Sequence, residues 1–145
     1  MSSLRVEVIS SKLKELKGSI SYIKEFLPSD ASLLNNRKDR NALYKEVESA
    51  IQIMIDICAV INSDVVRTAP SDEDSIVLLL EKEKVLSSEL SRKILSMKGF
   101  RNVLVHRYGN IDDGRAFENI TSGLKDFDLF IGEIESFLAG NKKKK

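Results

Sequence analysis

The chain has no tryptophan, one histidine, one cysteine and two prolines among its 145 residues. Each scarcity excludes something. A lone cysteine, Cys58, forms no internal disulfide, and one His with one Cys falls short of a normal zinc ligand set. Cys58 lies in the apolar run Ile55 to Ile61, where it reads as a small buried hydrophobe that fits a reducing compartment. There is no phosphate-cradling glycine loop of the P-loop or dinucleotide type, and no nucleophile elbow. No unbroken apolar run approaches the roughly 20 residues of a bilayer span. Charges at Arg5, Glu7 and Lys12 break any secretory signal pattern. A cytoplasmic protein with no membrane partner and no bound cofactor is expected.

What is present belongs to an ordinary folded chain, 42% apolar and 31% charged, well away from the disordered regime. A chain of this length makes one domain that buries about 68–70% of its unfolded surface. We expect a single helical domain over residues 1–141 and a disordered basic tail over 142–145.

The net charge of +1 hides an uneven distribution. Without Lys142 to Lys145 the body carries 19 basic against 22 acidic residues, which is not the balance of a general nucleic-acid binder. From Leu90 to Ile111 there is no acid at all, while Arg92, Lys93, Lys98, Arg101 and Arg107 supply five positive charges. Positive potential is therefore expected along that segment, where an incoming phosphate would feel it. The alternative is that Arg92, Lys93 and Lys98 pair with neighbouring helices.

Few glycines and prolines, with apolar residues at helical spacing, predict an all-α fold. Leu4, Val8, Leu13, Leu16, Ile20, Ile23 and Phe26 mark one face of a first helix ended by Pro28. Ser29 or Asp30 can cap the next helix. Leu33 to about Asn62 reads as a second helix near 30 residues long. Ser71 with Asp74 resembles a cap for a short helix through Ile76–Leu80. A motif helix is expected over about Ser88 to Tyr108. Asp113-Gly114 turns the chain, and the last helix runs from about Arg115 to Leu138. The expected architecture is an antiparallel up-down four-helix bundle with a short additional helix.

The chemistry concentrates in Arg101-Asn102-Val103-Leu104-Val105-His106-Arg107-Tyr108. Histidine exchanges protons near neutrality, and arginine grips a phosphate or carboxylate with two parallel hydrogen bonds. On an ideal helix Arg101 and Tyr108 share one flank, while Asn102 and His106 form an i,i+4 pair on another. Arg101 and His106 then stand about 140° apart and do not naturally meet within one chain. Two such helices facing each other across a two-fold axis would bring both flanks to one cleft.

This Arg-x4-His-x-Tyr segment, with Asn after the Arg and Leu-Val before the His, resembles the HEPN superfamily and more narrowly its HepT branch. The resemblance implies a homodimeric, metal-independent endoribonuclease of a toxin–antitoxin pair, acting on RNA rather than DNA. It implies attack of a 2′-hydroxyl on the adjacent phosphate, with His106 as general acid or base and Arg101 stabilising the phosphate charge. Asn102 would orient the imidazole or the phosphate. Tyr108 would contact substrate, and it would also be adenylylated by a partner minimal nucleotidyltransferase antitoxin, silencing the enzyme.

The rival reading is a HEPN module that binds nucleotides or partners without cutting RNA, as a subunit of a nucleotidyltransferase complex. Asp56, in the apolar face of the second helix, is a candidate anchor for Arg101 or His106, or equally a partner for a lysine.

Overall fold

The computed structural model describes residues 4–106 and 110–143. It is all-α, with no strand among the described residues. Four long helices, α1 (Val6–Phe26), α2 (Arg37–Ile61), α4 (Ser88–His106) and α5 (Asp113–Lys143), are joined by a short α3 (Glu73–Lys82) between α2 and α4.

The long helices form a ring in which each packs on two others: α1 on α2 and α5, α4 on α2 and α5. Residue pairs give the directions. Ser19 bonds Glu46 while Arg5 bonds Asp64, so α2 runs against α1. Lys17 pairs with Glu135 and Lys24 with Asp128, so α5 also runs against α1. Ile9, Leu16, Ile23, Leu43, Ile51, Ile57, Ile61, Leu90, Ile94 and Phe130 are almost wholly buried in the shared core.

Several boundaries depart from the sequence expectation for local reasons. Val8 and Phe26, read as core, are 38% and 55% exposed; Ile9 takes the inward position on α1 instead. The second helix begins at Arg37 rather than Leu33, because Asn36 Oδ1 accepts from the Asp39 N–H and starts a new helix there. Asp30 caps only a short 3-10 turn, Ala31–Leu33, by accepting from the Ser32 N–H. The cap of α3 is Asp72 with Ser75, not Ser71 with Asp74. The Ser75 N–H donates to Asp72 Oδ1 at 2.8 Å and Ser75 Oγ accepts from the Asp72 N–H at 3.1 Å, a reciprocal capping box. Asp113 and Gly114 belong to the first turn of α5, started by Asp112 Oδ1 accepting from the Arg115 N–H. That helix continues through Lys143, into the stretch expected as tail.

Arg37–Val66 is long and apolar enough, by length and composition, to cross a membrane. A count of unbroken apolar runs alone misses it. Half of its apolar window is buried inside the bundle, and α2 touches α1, α3 and α4, so its apolar character is that of a central core helix. The last turn widens into a π-helical segment over Asn62–Val66, closed by Arg67 at φ 59°. There Asp64 is held by the backbone N–H and guanidinium of Arg5 at 2.9–3.0 Å. That contact depresses the Asp64 carboxyl below its ordinary value.

Burial pushes the Cys58 thiol up to about 12. It should resist alkylation at neutral pH until the protein unfolds, as mass spectrometry after maleimide treatment would report. Phe130→Ala should cost about 3–5 kcal/mol in urea unfolding. Phe26→Ala, on the exposed end of α1, should stay within about 1 kcal/mol.

Candidate active site

The helix that carries the Arg-x4-His segment is anchored firmly at its start. Ser87 Oγ accepts from the Leu90 N–H at 3.1 Å and so caps α4. Ser87 is itself gripped by Glu133 of α5, through its N–H at 2.7 Å and its hydroxyl at 2.6 Å. From that base, Leu90, Ile94, Met97 and Leu104 face the core.

Arg101 lies within that buried face rather than at its edge. It is 8% exposed, and its guanidinium is met from three helices. From α3, Glu73 accepts from Nη2 at 2.7 Å and from Nη1 at 3.3 Å. From α2, Gln52 Oε1 accepts from Nη1 at 2.8 Å. On α4 itself, Asn102 Oδ1 accepts from Nη2 at 2.9 Å and from Nε at 3.3 Å. The Arg101 cation holds Glu73 below its ordinary carboxylate range, against the opposing effect of burial.

Sequence reasoning missed Glu73 and Gln52. It named Asp56 as a candidate anchor, and Asp56 reaches Arg101 only through Gln52, accepting from its Nε2 at 2.9 Å. One signal was available: Gln52 and Asp56 are i,i+4 neighbours on a helix that is otherwise apolar in this stretch.

Asn102 is half-buried and His106 is exposed one turn further on. No hydrogen bond joins Arg101 to His106 among the described residues, in keeping with their wide angular separation. Arg107 and Tyr108 lie outside the described residues, so the flank that Tyr108 was expected to share with Arg101 has no structural account.

The positive stretch is also less free than its composition suggests. Lys98 is tied to Asp74, and Lys93 to Asp126 at 3.0 Å and Glu89 at 3.8 Å. With Arg101 bound to Glu73, three of the five cations are neutralised internally. Arg92 is exposed and pairs with no carboxylate among the described residues.

The chain thus presents an exposed imidazole one turn beyond a firmly held amide, on one helix of an all-α bundle. The model for the family described as "Ribonuclease HepT-like" matches residues 16–134. The chain belongs to the ribonuclease HepT-like family. A tRNA nuclease HepT of Aphanizomenon flos-aquae is 37% identical over 59 residues, a match spanning 41% of this chain and 40% of that protein. An mRNA nuclease HepT of Shewanella oneidensis is 22% identical over 130 residues, spanning 90% of this chain and 98% of the relative. Among solved structures, the tri-AMPylated HEPN toxin of Shewanella oneidensis in complex with its MNT antitoxin superposes with a TM-score of 0.82 at 22% identity. That superposition covers 89% of this chain and 97% of the toxin. YutE of Bacillus subtilis, a cytosolic protein of unknown function, gives 0.81 at 19% identity over 95% of this chain and 93% of its own. The HepT-like fold is thus shared across low sequence identity.

Removing Glu73 would strand a buried guanidinium. Because Glu73 retains 35% side-chain exposure, Glu73→Ala should cost only about 1–3 kcal/mol rather than the full penalty of a broken buried pair. Asp74→Ala, whose carboxylate is 54% exposed, should cost no more than about 1 kcal/mol. The Glu73 contribution has a depressed carboxyl as its source. It should be fully present above the ordinary glutamate value of about 4.3 and disappear as pH falls through the lower folded value. Thermal unfolding of wild type and Glu73→Gln between pH 3 and 7 should therefore converge at the acid end.

Proposed function

We propose that this protein is the RNA-cleaving toxin of a toxin–antitoxin pair. In this reading it is a metal-independent endoribonuclease, held in check by a nucleotidyltransferase that adenylylates Tyr108. The observation that carries the reading is an exposed His106 one helical turn beyond Asn102, itself fixed by the buried Arg101. His106 takes the proton from a ribose 2′-hydroxyl as its oxygen attacks phosphorus. The bond from phosphorus to the 5′-oxygen breaks, and that oxygen receives a proton. The products are a 2′,3′-cyclic phosphate and a 5′-hydroxyl. The Arg101–Asn102 pair supports the charge that develops on the phosphate oxygens.

A homodimer completes the site in this reading. Arg92, Ser96, Gly99, Val103 and His106 form one exposed stripe along α4, and space is open above Gly99. A second copy of α4 fits against that stripe and brings two imidazoles together, one to accept the proton and one to return it. The nuclease names of the HepT relatives and the antitoxin-bound state of the Shewanella toxin support the reading; the protein would then act in the cytoplasm, where RNA and ATP are both available.

The test is incubation with RNA in EDTA. Wild type should cut to cyclic-phosphate ends, and His106→Ala should lose roughly 10²–10⁴-fold in rate. Equal cutting by both would remove His106 from the mechanism, and no cutting by wild type would favour the non-catalytic binding module. Incubation with a nucleotidyltransferase encoded beside the gene and ATP should add one adenylyl mass to the Tyr108 peptide, and an unmodified peptide would sink that form of control. Val103→Glu should turn the dimer into a monomer by sedimentation and abolish cutting without changing the helical content.

A further inference from the structure

Resting on that RNA-cleaving reading, we infer that the Asn102 amide is the group that meets the scissile phosphate. Arg101 and Glu73 then act behind it as positioning residues. An arginine offers five N–H groups and no acceptor. In Arg101 all five are accounted for: Nε by Asn102, Nη1 by Gln52 and Glu73, Nη2 by Glu73 and Asn102. A phosphate oxygen arriving at the guanidinium would have to displace one of these partners. It would also have to reach a side chain only 10% exposed.

Asn102 faces the opposite situation. Because its neighbour only donates, its amide must turn the oxygen toward Arg101, and both hydrogens of Nδ2 therefore point away. No acceptor engages Nδ2 among the described residues. These two donors belong to half-buried Asn102, the i,i−4 neighbour of exposed His106 on the same side of α4. A cation held against the amide oxygen draws electron density from the nitrogen and strengthens those donors. The result is a neutral, pre-aimed pair of N–H groups of the kind that stabilises a developing oxyanion.

Glu73 fits as the keystone of this arrangement. It reaches the guanidinium from the first turn of α3 with both carboxylate oxygens, and the adjacent Asp74–Lys98 pair fastens the same turn to α4. Gln52, braced by Asp56, closes the other side. The planar fork is thus fixed in orientation, and with it the amide that leans on it.

The test has a binding arm and a kinetic arm. Titration of an uncleavable 2′-O-methyl RNA oligonucleotide into 15N-labelled protein should shift the Asn102 Nδ2 resonances and leave the Arg101 Nε–H signal in place. A shifted Arg101 signal with Asn102 unmoved, or no shift of Asn102 at all, overturns the inference. Asn102→Asp keeps an oxygen for Arg101 but removes both donors, so kcat should fall about 10²–10³-fold with the melting temperature preserved. Glu73→Gln keeps an acceptor but loosens the fork, so kcat should fall about tenfold while KM stays within about twofold. Tighter RNA binding or faster cutting by Glu73→Gln would instead make Glu73 a competitor of the phosphate for Arg101, and would also overturn the inference. A wild type that cuts no RNA sinks the underlying reading, and the binding arm then still decides which side chain meets the phosphate.

Discussion

A guanidinium taken out of water is the constraint around which this molecule is arranged. An unpaired cation at the Arg101 depth would be intolerable in an apolar interior. The fold resolves this by bringing three helices to one point, with α2 supplying an amide, α3 a carboxylate and α4 a second amide. The short α3 finds its purpose here. Without it the four long helices would still close a ring, but the motif helix would carry a buried charge with no counter-ion.

That arrangement divides the motif into an inner and an outer part. Arg101 belongs to the interior and its charge is cancelled by Glu73; His106 belongs to the surface and remains open. Asn102 lies between them, accepting from one side and, among the described residues, meeting no acceptor on the other. The motif is therefore less a set of residues pooled at one place than a relay from a rigid core to a wet surface. The internal pairing of Lys93 and Lys98 carries the same lesson: most of the positive charge on α4 holds helices together rather than standing free for a polyanion.

Much of this was legible in the residues themselves. The helical periods of α2 and α5, the all-α class and the Arg-x4-His segment could all be read because each is written in neighbouring positions. What escaped was written across the chain. Glu73 and Gln52 lie 28 and 49 residues from Arg101, and nothing in their local context marks them as partners. The exchange of Val8 for Ile9 on the core face, and the restart of α2 at Asn36, are one-residue decisions made by packing and capping that a periodic pattern does not resolve. Asp56 stands out for a sound reason, a carboxylate on an apolar face, yet its influence on Arg101 passes through an intervening amide.

The grip of Glu133 on Ser87 is one of several holds on α4. A 19-residue helix is about 28 Å long, and α4 is clamped at its root by that carboxylate, in its second turn by Lys93 and Asp126, and near its middle by Lys98 and Asp74. Beyond Arg101, only Leu104 among its described residues is buried. The helix is thus supported at intervals along its length, with buried Leu104 within one turn of the imidazole and, at the start of α5, Asp113 held by Arg40 and Tyr44. A beam held at so many points does not carry a tilt of its root to its far end, so the place of His106 is set by the contacts of the neighbouring turns rather than by the grip of Glu133.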